Sequence, residues 1–299
     1  MVHSKPIGNQ KPRRKHLRQQ RKAETSNQKQ TPIPLKQHSR TLTKQYYSII
    51  LKTRKPIPQY YFQETSMKQS ITIYHGSQQI VEVPKFGIGK KYNDYGQGFY
   101  CTENNELAKG WACPVKNDGY SNKYHLDLEG LNVMHLTKGE FNVLNWLAVL
   151  LANRKFDITS PIGNNAREFV LNRFMPETTN VDVMIGYRAD DSYFSFAEDF
   201  VNNTISLKDL NNAMRLGTLG EQVVLLSEQS FERIEFIGYE IADYREYYFK
   251  RANRDQSTRA AYANQRKALH QILDDIFVLD IIREDMGNDG PRLQSVISE

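Results

Sequence analysis

The stretch NDYGQGFYCT, from Asn93 to Thr102, joins a polar loop to a short aromatic strand. Gly96 and Gly98 flank the junction, and glycine permits a positive φ or a close approach of two backbones. An ordinary β-turn would explain the Asn, Asp and Gly residues as well. The stretch therefore predicts a tight loop that leads into a strand at 98–102.

The flanking sequence predicts a mixture of strands and helices. Ile71 to His75 is a β-branched and aromatic run ended by Gly76, which predicts a strand. Further strands are predicted at 123–128, 181–187, 222–226 and 233–238, with 81–84 as a loop or short edge strand. Helical spacing predicts helices at 106–112, 140–154, 168–174, 191–202, 207–216 and 244–282, before a frayed end. Because the elements do not alternate regularly as βαβ units, we expect the α+β class.

The charge of the chain is unevenly distributed. Residues 1–66 contain 15 Lys and Arg against two Asp and Glu, a balance of +13. The whole chain carries +6, so the remaining residues carry −7. Because 1–66 lacks apolar periodicity, we expect a disordered tail that can bind phosphate backbones non-specifically. The alternative is a translation start at Met67, since the codons for 63–66 can form a ribosome-binding sequence.

Several classes of protein are excluded. No stretch approaches the roughly 18 apolar residues of a membrane span, and no apolar segment of a secretory signal follows the basic N-terminus. The chain has two cysteines, Cys101 and Cys113. They are too few for a disulfide framework and too far apart in sequence for a CxxC metal site. FGIGKK lacks the Ser or Thr of a P-loop. We therefore expect a cytoplasmic protein with no metal and no membrane partner.

Three polar residues on predicted strands are candidates for chemistry: His75, Tyr100 and Gln222. Each has a simpler explanation when taken alone. A His at a strand end usually makes a structural hydrogen bond, a strand Tyr is usually core, and a Gln at a strand start usually faces solvent. Only their combination points to a site.

That combination resembles an uncharacterised bacterial domain family related to ADP-ribosyltransferases. The similarity begins with IYHGS at 73–77, NDYGQGFYCT at 93–102 and the pair Trp111-Ala112. It continues with the helix from Trp146 to Arg154, IGYRADD at 185–191, QVVLLSEQSFERIEF from Gln222 and the helix around Tyr247 to Asp255. The resemblance covers roughly 71–262. It implies an ADP-ribosyltransferase-like split β-sheet in a domain at 67–262, followed by a helical extension at 263–299.

ADP-ribosyltransferases of the diphtheria-toxin and poly-ADP-ribose-polymerase type use a His–Tyr–Glu trio on three strands. Carried over, His75 and the Gly76 backbone would hold the adenosine ribose of NAD, and Tyr100 would stack on the nicotinamide. The third position falls on Gln222, with Glu221 beside it. The resemblance implies further NAD contacts from Ser77, Asn93, Asp94, Gly96, Gly98, Phe99 and Asp190.

The third position departs from the trio, because a Gln can hydrogen-bond but cannot accept a proton. Adjacent strand residues face opposite sides, so only one of Glu221 and Gln222 can meet the ribose. We favour Gln222, with Asp190 or Asp191 as a carboxylate unless these residues only cap a helix. Replacing Gln222 with Glu is then expected to preserve or raise NAD cleavage.

The resemblance implies an NAD-dependent mono-ADP-ribosyltransferase that modifies a protein or a nucleic acid. Such an enzyme would suit a toxin or phage-defence effector, and an antitoxin partner is then expected. Two alternatives stay open. The domain is a non-catalytic module that keeps an NAD pocket, or the protein binds nucleic acid through its basic tail.

Overall fold

The computed structural model describes residues 70–158, 160–189, 191–215, 220–268 and 275–297. The basic segment 1–66, the alternative start at Met67 and the candidate carboxylate Asp190 lie outside the described residues.

Strands and helices alternate irregularly along the described part of the chain. The strands there are β1 (Ser70–Ser77), β2 (Phe99–Cys101), β3 (Gly119–Asp127), β4 (Val133–His135), β5 (Val183–Gly186), β6 (Gln222–Leu225) and β7 (Ile234–Ala242). The helices there are α1 (Asn105–Ala112), α2 (Val143–Asn153), α3 (Pro161–Phe174), α4 (Asp191–Val201), α5 (Leu207–Arg215), α6 (Glu228–Glu232), α7 (Tyr244–Ala268), α8 (Val278–Arg283) and α9 (Pro291–Ile297).

The strands form two sheets. The three-stranded sheet has the order β1-β3-β7 and is antiparallel throughout. The four-stranded sheet has the order β2-β6-β5-β4, in which β4 and β5 are parallel and the other neighbours are antiparallel. Together with the helices, these sheets confirm the α+β class that the sequence predicts.

Each face of the four-stranded sheet borders an apolar core. Because side chains alternate along a strand, Val223 and Leu225 of β6 join a core with Ile71 and Ile73 of β1, between the two sheets. Val224 points the other way, into a larger core built mainly from helices. The strands β5 and β6 are therefore covered on both faces, which explains their almost uninterrupted apolar sequences VMIG and QVVL.

Helix α2 is the centre of the larger core. Its sequence VLNWLAVLLAN is buried on nearly every side, as expected of a helix that is apolar all round. Asn142 and Asn145 form a reciprocal capping box that satisfies backbone N–H groups at its N-terminus. The helix ends at Asn153, and Arg154 follows it into the candidate site described below.

The structure differs from the sequence predictions at several elements: helix α6 is not predicted, and α3 begins at Pro161, before the predicted start at 168. The strand β4 is not predicted, because three residues are too few to show an alternating pattern. Residues 81–84 are predicted to be a loop or a short edge strand, and they form a loop. The C-terminal end is not frayed throughout, because α9 is a helix that buries Leu293. In the described regions, none of the helices has the length and apolar character required to cross a membrane.

Candidate functional site

The two sheets touch at one backbone bridge and then separate. Tyr74 and Thr102 exchange N–H···O bonds of 2.8 and 3.0 Å, and within the described residues β1 and β2 pair nowhere else. Residues two apart on a strand direct their backbone groups to the same side. The N–H and C=O of Gly76 therefore point, like those of Tyr74, toward β2, but beyond the bridge. The end of β1 thus presents backbone groups to an opening between the sheets.

His75 lies in this opening with a defined tautomer. Its Nδ1 is 2.7 Å from the carbonyl oxygen of Tyr100, and its ring centroid is 4.4 Å from that of Phe99. A carbonyl oxygen can only accept, so Nδ1 carries the proton and Nε2 of the neutral ring is left as an acceptor. Burial lowers the pKa of His75 and outweighs the opposing effect of the bond to Tyr100. The imidazole is therefore suited to accept a hydrogen bond from a hydroxyl group.

A cleft of about 410 Å³ adjoins His75, within the size range of small-molecule sites. Five of the predicted NAD contacts line it: His75, Asn93, Gly98, Phe99 and Tyr100. The rest of the lining comes from the loop 81–90, including two exposed lysines, Lys85 and Lys90. Gly76, Ser77, Asp94 and Gly96 are not part of the lining.

Asn122 of β3 holds the wall of this cleft. Its buried side chain donates to the carbonyl oxygens of His75 and Gln79, both at 3.2 Å, and accepts from the N–H of Val81 at 2.9 Å. These bonds fix the beginning of the loop against β1. Sequence analysis missed Asn122. The available signal is an Asn at a core-facing position of an alternating strand, where a buried amide needs several partners.

Tyr100 faces away from His75, toward the helical core. Its hydroxyl donates to the Gly96 carbonyl at 2.7 Å and accepts from the Tyr95 N–H at 2.9 Å. Gly96 has a φ of +81°, as its place in this turn requires. Burial raises the pKa of Tyr100, so the phenol stays protonated. The ring edges the cleft, but its hydroxyl closes the turn that precedes β2.

Asp94 is the centre of a buried polar cluster. The carboxylate is 3% exposed and accepts from Arg154 Nη1 at 2.6 Å, the Ala189 N–H at 3.0 Å and Gln222 Nε2 at 3.1 Å. Burial raises the pKa of Asp94, although these bonds act against the shift. The cluster joins the 93–96 turn to α2, to the segment after β5 and to β6. The Asp94 carboxylate is therefore bonded by three protein donors and does not line the cleft.

Gln222 belongs to this cluster and lies outside the lining of the cleft. Its side chain is buried, and the bond to Asp94 orients the amide so that Nε2 donates. Its Oε1 has no hydrogen-bond partner within the described residues. Gln222 and Tyr100 thus face the same side of their sheet, and both hold the 93–96 turn.

Glu221 faces the opposite side, as strand alternation requires. Its carboxylate accepts from Thr137 and lies 3.3 Å from His135 Nε2. It lines a second cleft of about 610 Å³, together with Val223 and residues 102–106. Burial acts to raise the pKa of Glu221, but the bonds from His135 and Thr137 prevail and hold it below the usual value. Glu221 is therefore an ionised carboxylate that is reachable from solvent.

Two further predicted residues, Ser77 and Gly76, contact other parts of the protein. Ser77 Oγ accepts from the Gln79 N–H in a turn. Gly76 lies against α1 so closely that a Cβ would be 2.0 Å from the Ala108 carbonyl oxygen and 2.8 Å from Trp111 Cβ. Trp111 also carries the Arg188 guanidinium over its ring at 4.6 Å, a pair that sequence analysis did not identify.

Comparison with known proteins gives a family but no activity. Residues 71–236 match the family described as "Protein of unknown function (DUF3990)". No curated protein and no solved structure matches the chain. The matched segment includes β2 to β6, all of β1 but its first residue, and the residues that line both clefts.

Proposed function

The chain belongs to the DUF3990 family, and we propose that it is an NAD-dependent mono-ADP-ribosyltransferase with a split-sheet core. The proposal comes from the resemblance of IYHGS and NDYGQGFYCT to that class of enzyme. The acceptor is a protein or a nucleic acid. An effector role, as a toxin or in phage defence, is part of the same proposal.

The observation that carries the proposal is the opening after the Tyr74–Thr102 bridge. The nicotinamide carboxamide needs both a donor and an acceptor, and the N–H and C=O of Gly76 offer both at the strand edge beyond the bridge. This role replaces the ribose contact that the resemblance implies for Gly76. A ribose hydroxyl needs an acceptor, and His75 Nε2 is one. Lys85 and Lys90 on the cleft wall supply positive charge for a pyrophosphate. These groups are of the kinds that the carboxamide, ribose and pyrophosphate of NAD require, which supports the proposal.

Cleavage of the nicotinamide–ribose bond develops positive charge on the ribose, as in glycoside hydrolysis. A carboxylate near that charge stabilises it, whereas a neutral amide only positions the substrate. Glu221 is ionised and reachable, and Gln222 is a buried donor to Asp94. We therefore assign the electrostatic role to Glu221, and to Gln222 the role of holding the 93–96 turn. This assignment reverses the preference drawn from sequence.

One observation favours a non-catalytic NAD-binding module instead. The Glu221 carboxylate lines a different cleft from His75, and no residue is common to the linings of the two clefts. A pocket that binds NAD without a carboxylate beside the nicotinamide–ribose bond would not cleave that bond. Binding and cleavage must therefore be measured separately.

The test uses the full chain with NAD labelled in the nicotinamide ring. Nicotinamide release is measured by chromatography, and NAD binding by calorimetry. We expect His75→Ala to weaken binding at least about ten-fold, since it removes a hydrogen bond and ring contacts. We expect Glu221→Gln to bind normally but to lower release by about 10²-fold or more, the usual scale for a transition-state contact.

Glu168→Gln is the control, because Glu168 is exposed on α3, and no residue of α3 lines either cleft. It should match the wild-type protein in both measurements. NAD binding without release, in the wild type and with cell lysate present as a source of acceptor, would establish the binding module. Absence of binding would exclude both functions.

A further inference from the structure

The rim of the His75 cleft exposes an unusual amount of apolar surface. The loop 78–98 carries five of the large apolar side chains that stand exposed in the described structure: Ile80, Val83, Phe86, Ile88 and Tyr92. Tyr92 is 84% exposed. Exposed apolar groups concentrated in one segment mark an interaction site more often than scattered ones do.

The same rim is positively charged. Lys90 and Lys91 directly precede Tyr92, and Lys85 directly precedes Phe86. All three lysines are exposed, and in the described regions none of them forms an ion pair. Only one acidic residue of the loop is exposed, Glu82, because Asp94 is buried. Each of the two exposed aromatic residues of the loop, Phe86 and Tyr92, therefore directly follows an exposed lysine in the sequence.

A second pair of aromatic rings lies on the face of the sheet that carries His75. Strand register places His75 opposite Asn122, and Asn122 opposite Tyr239. Two strand spacings, about 10 Å, therefore separate the backbones at His75 and Tyr239. Tyr239 is 49% exposed, and its ring meets that of Tyr120 edge-to-face at 5.5 Å. Tyr239 and Tyr120 thus add two aromatic rings on the face of the sheet that carries His75.

We infer that this rim binds single-stranded nucleic acid, and that the bound strand is the acceptor of the ADP-ribose. Single strands are bound by lysines that follow the phosphates and by aromatic rings on which unpaired bases stack. Both features occur next to each other at Lys91 and Tyr92, neither of which lines the cleft. A duplex hides the faces of its bases, and an apolar protein partner would leave these lysines unpaired. The statement on the acceptor rests on the proposed function, whereas the statement on binding does not.

Binding is tested on the full chain without NAD, by fluorescence anisotropy of a labelled single-stranded oligonucleotide of about 20 nucleotides. The variant Lys91→Gln/Tyr92→Ala removes one rim lysine and one rim ring, neither of which lines the cleft. Its control, Lys116→Gln/Phe249→Ala, removes an exposed lysine and ring that contact each other elsewhere, 5.9 Å apart. Both variants keep the basic segment 1–66, so any non-specific binding by this segment contributes equally to the two measured affinities.

We expect the rim variant to bind at least about ten-fold more weakly and the control to stay within about two-fold of wild type, on the scale of one lost stacking contact. We also expect a duplex of the same sequence to bind more weakly than the single strand. Equal losses in the two variants, or a duplex bound as tightly as the single strand, would overturn the binding site.

The acceptor is tested with NAD labelled in the adenylate and a mixture of oligonucleotide and cell protein. We expect the label on the oligonucleotide, and less of it with the rim variant. Nicotinamide release without an acceptor should be the same for the rim variant and the wild type. Label on protein alone overturns the acceptor. Oligonucleotide binding without any nicotinamide release instead overturns the proposed function and leaves the binding site in place.

Discussion

The imidazole of His75 donates through Nδ1 to the carbonyl oxygen of Tyr100, across a distance of 2.7 Å. This bond joins β1 to β2 beyond the Tyr74–Thr102 bridge, where the backbones no longer pair. His75 is therefore both a tie between the two sheets and the acceptor that faces the cleft. A substitution at this position changes stability as well as binding, so the two effects must be separated.

The pH dependence of the free energy of unfolding isolates the contribution of His75 to stability from its contribution to binding. Because the pKa of His75 is lowered in the folded protein, the unfolded chain binds more protons near pH 6. The free energy of unfolding should therefore rise as the pH is raised toward about 6.5, the unfolded value, and the contribution of His75 should be complete above it. His75→Gln keeps a donor for the Tyr100 carbonyl and does not titrate, so it should flatten this rise.

Urea unfolding of both proteins at a series of pH values from about 5 to 7.5 checks this expectation. The difference between the two curves isolates His75 from other groups, such as Asp94, whose pKa shifts in the opposite direction. Parallel curves would mean that the His75 ring is not buried in its neutral form.

Tyr100→Phe should destabilise the protein by about 1–3 kcal/mol, because it removes two hydrogen bonds and leaves the N–H of buried Tyr95 without this acceptor. The phenol bonds both the Gly96 carbonyl and the Tyr95 N–H, whereas the ring alone packs on the helical core. Tyr100→Ala should cost more, about 3–5 kcal/mol, because it also leaves a cavity. Chemical denaturation of the two variants measures both values. A loss of NAD affinity in Tyr100→Phe with unchanged stability would favour a direct contact with NAD.

Gly76→Ala should be strongly destabilising. The added Cβ would lie 2.0 Å from the backbone oxygen of Ala108, which cannot move without displacing α1. Overpacking of this kind costs about 1–3 kcal/mol or more. Gly139→Ala is the comparison: it has open space and only the strain of a φ of +70°. Thermal unfolding should rank Gly76→Ala well below Gly139→Ala, and the reverse order would show that α1 does not pack on Gly76.

The sequence identifies six of the seven described strands, but not the faces on which their polar residues act. The motifs at β1 and before β2 predict that His75 and Tyr100 share a site; in the structure His75 meets the backbone carbonyl of Tyr100, whereas the Tyr100 side chain packs on the helical core. Alternation also predicts that Glu221 and Gln222 diverge. Which of them meets the core depends on Asp94, which comes from a loop 128 residues earlier and carries no local signal. Long-range polar contacts of this kind cannot be derived from periodicity.

Asp94 also changes what is expected of Gln222→Glu. From the sequence, this substitution adds a base and preserves or raises cleavage. In the structure, Gln222 Nε2 donates to Asp94 at 3.1 Å, in a cluster where Asp94 is 3% exposed. A Glu at 222 would bring a second carboxylate to this distance, so one of the two would have to stay protonated. We therefore expect the variant to be destabilised at neutral pH and to gain no activity.

The loss of stability in Gln222→Glu has a predictable size and pH dependence. Replacing a buried donor bond with a repulsive contact should cost about 1–3 kcal/mol at pH 7. Both carboxylates would have raised pKa values in the folded protein, so the folded state would bind more protons, and stability should recover as the pH falls toward 5. Asp94→Asn in the Gln222→Glu background exchanges donor and acceptor, and it should restore part of the stability at pH 7.

Denaturation of the single and double variants at pH 5 and pH 7, with nicotinamide release measured alongside, decides where Gln222 acts. Recovery in the double variant without recovery of activity above wild type supports a positioning role through the 93–96 turn. A stable Gln222→Glu with raised nicotinamide release would show instead that residue 222 turns toward the ribose when NAD binds, and it would restore the preference drawn from sequence.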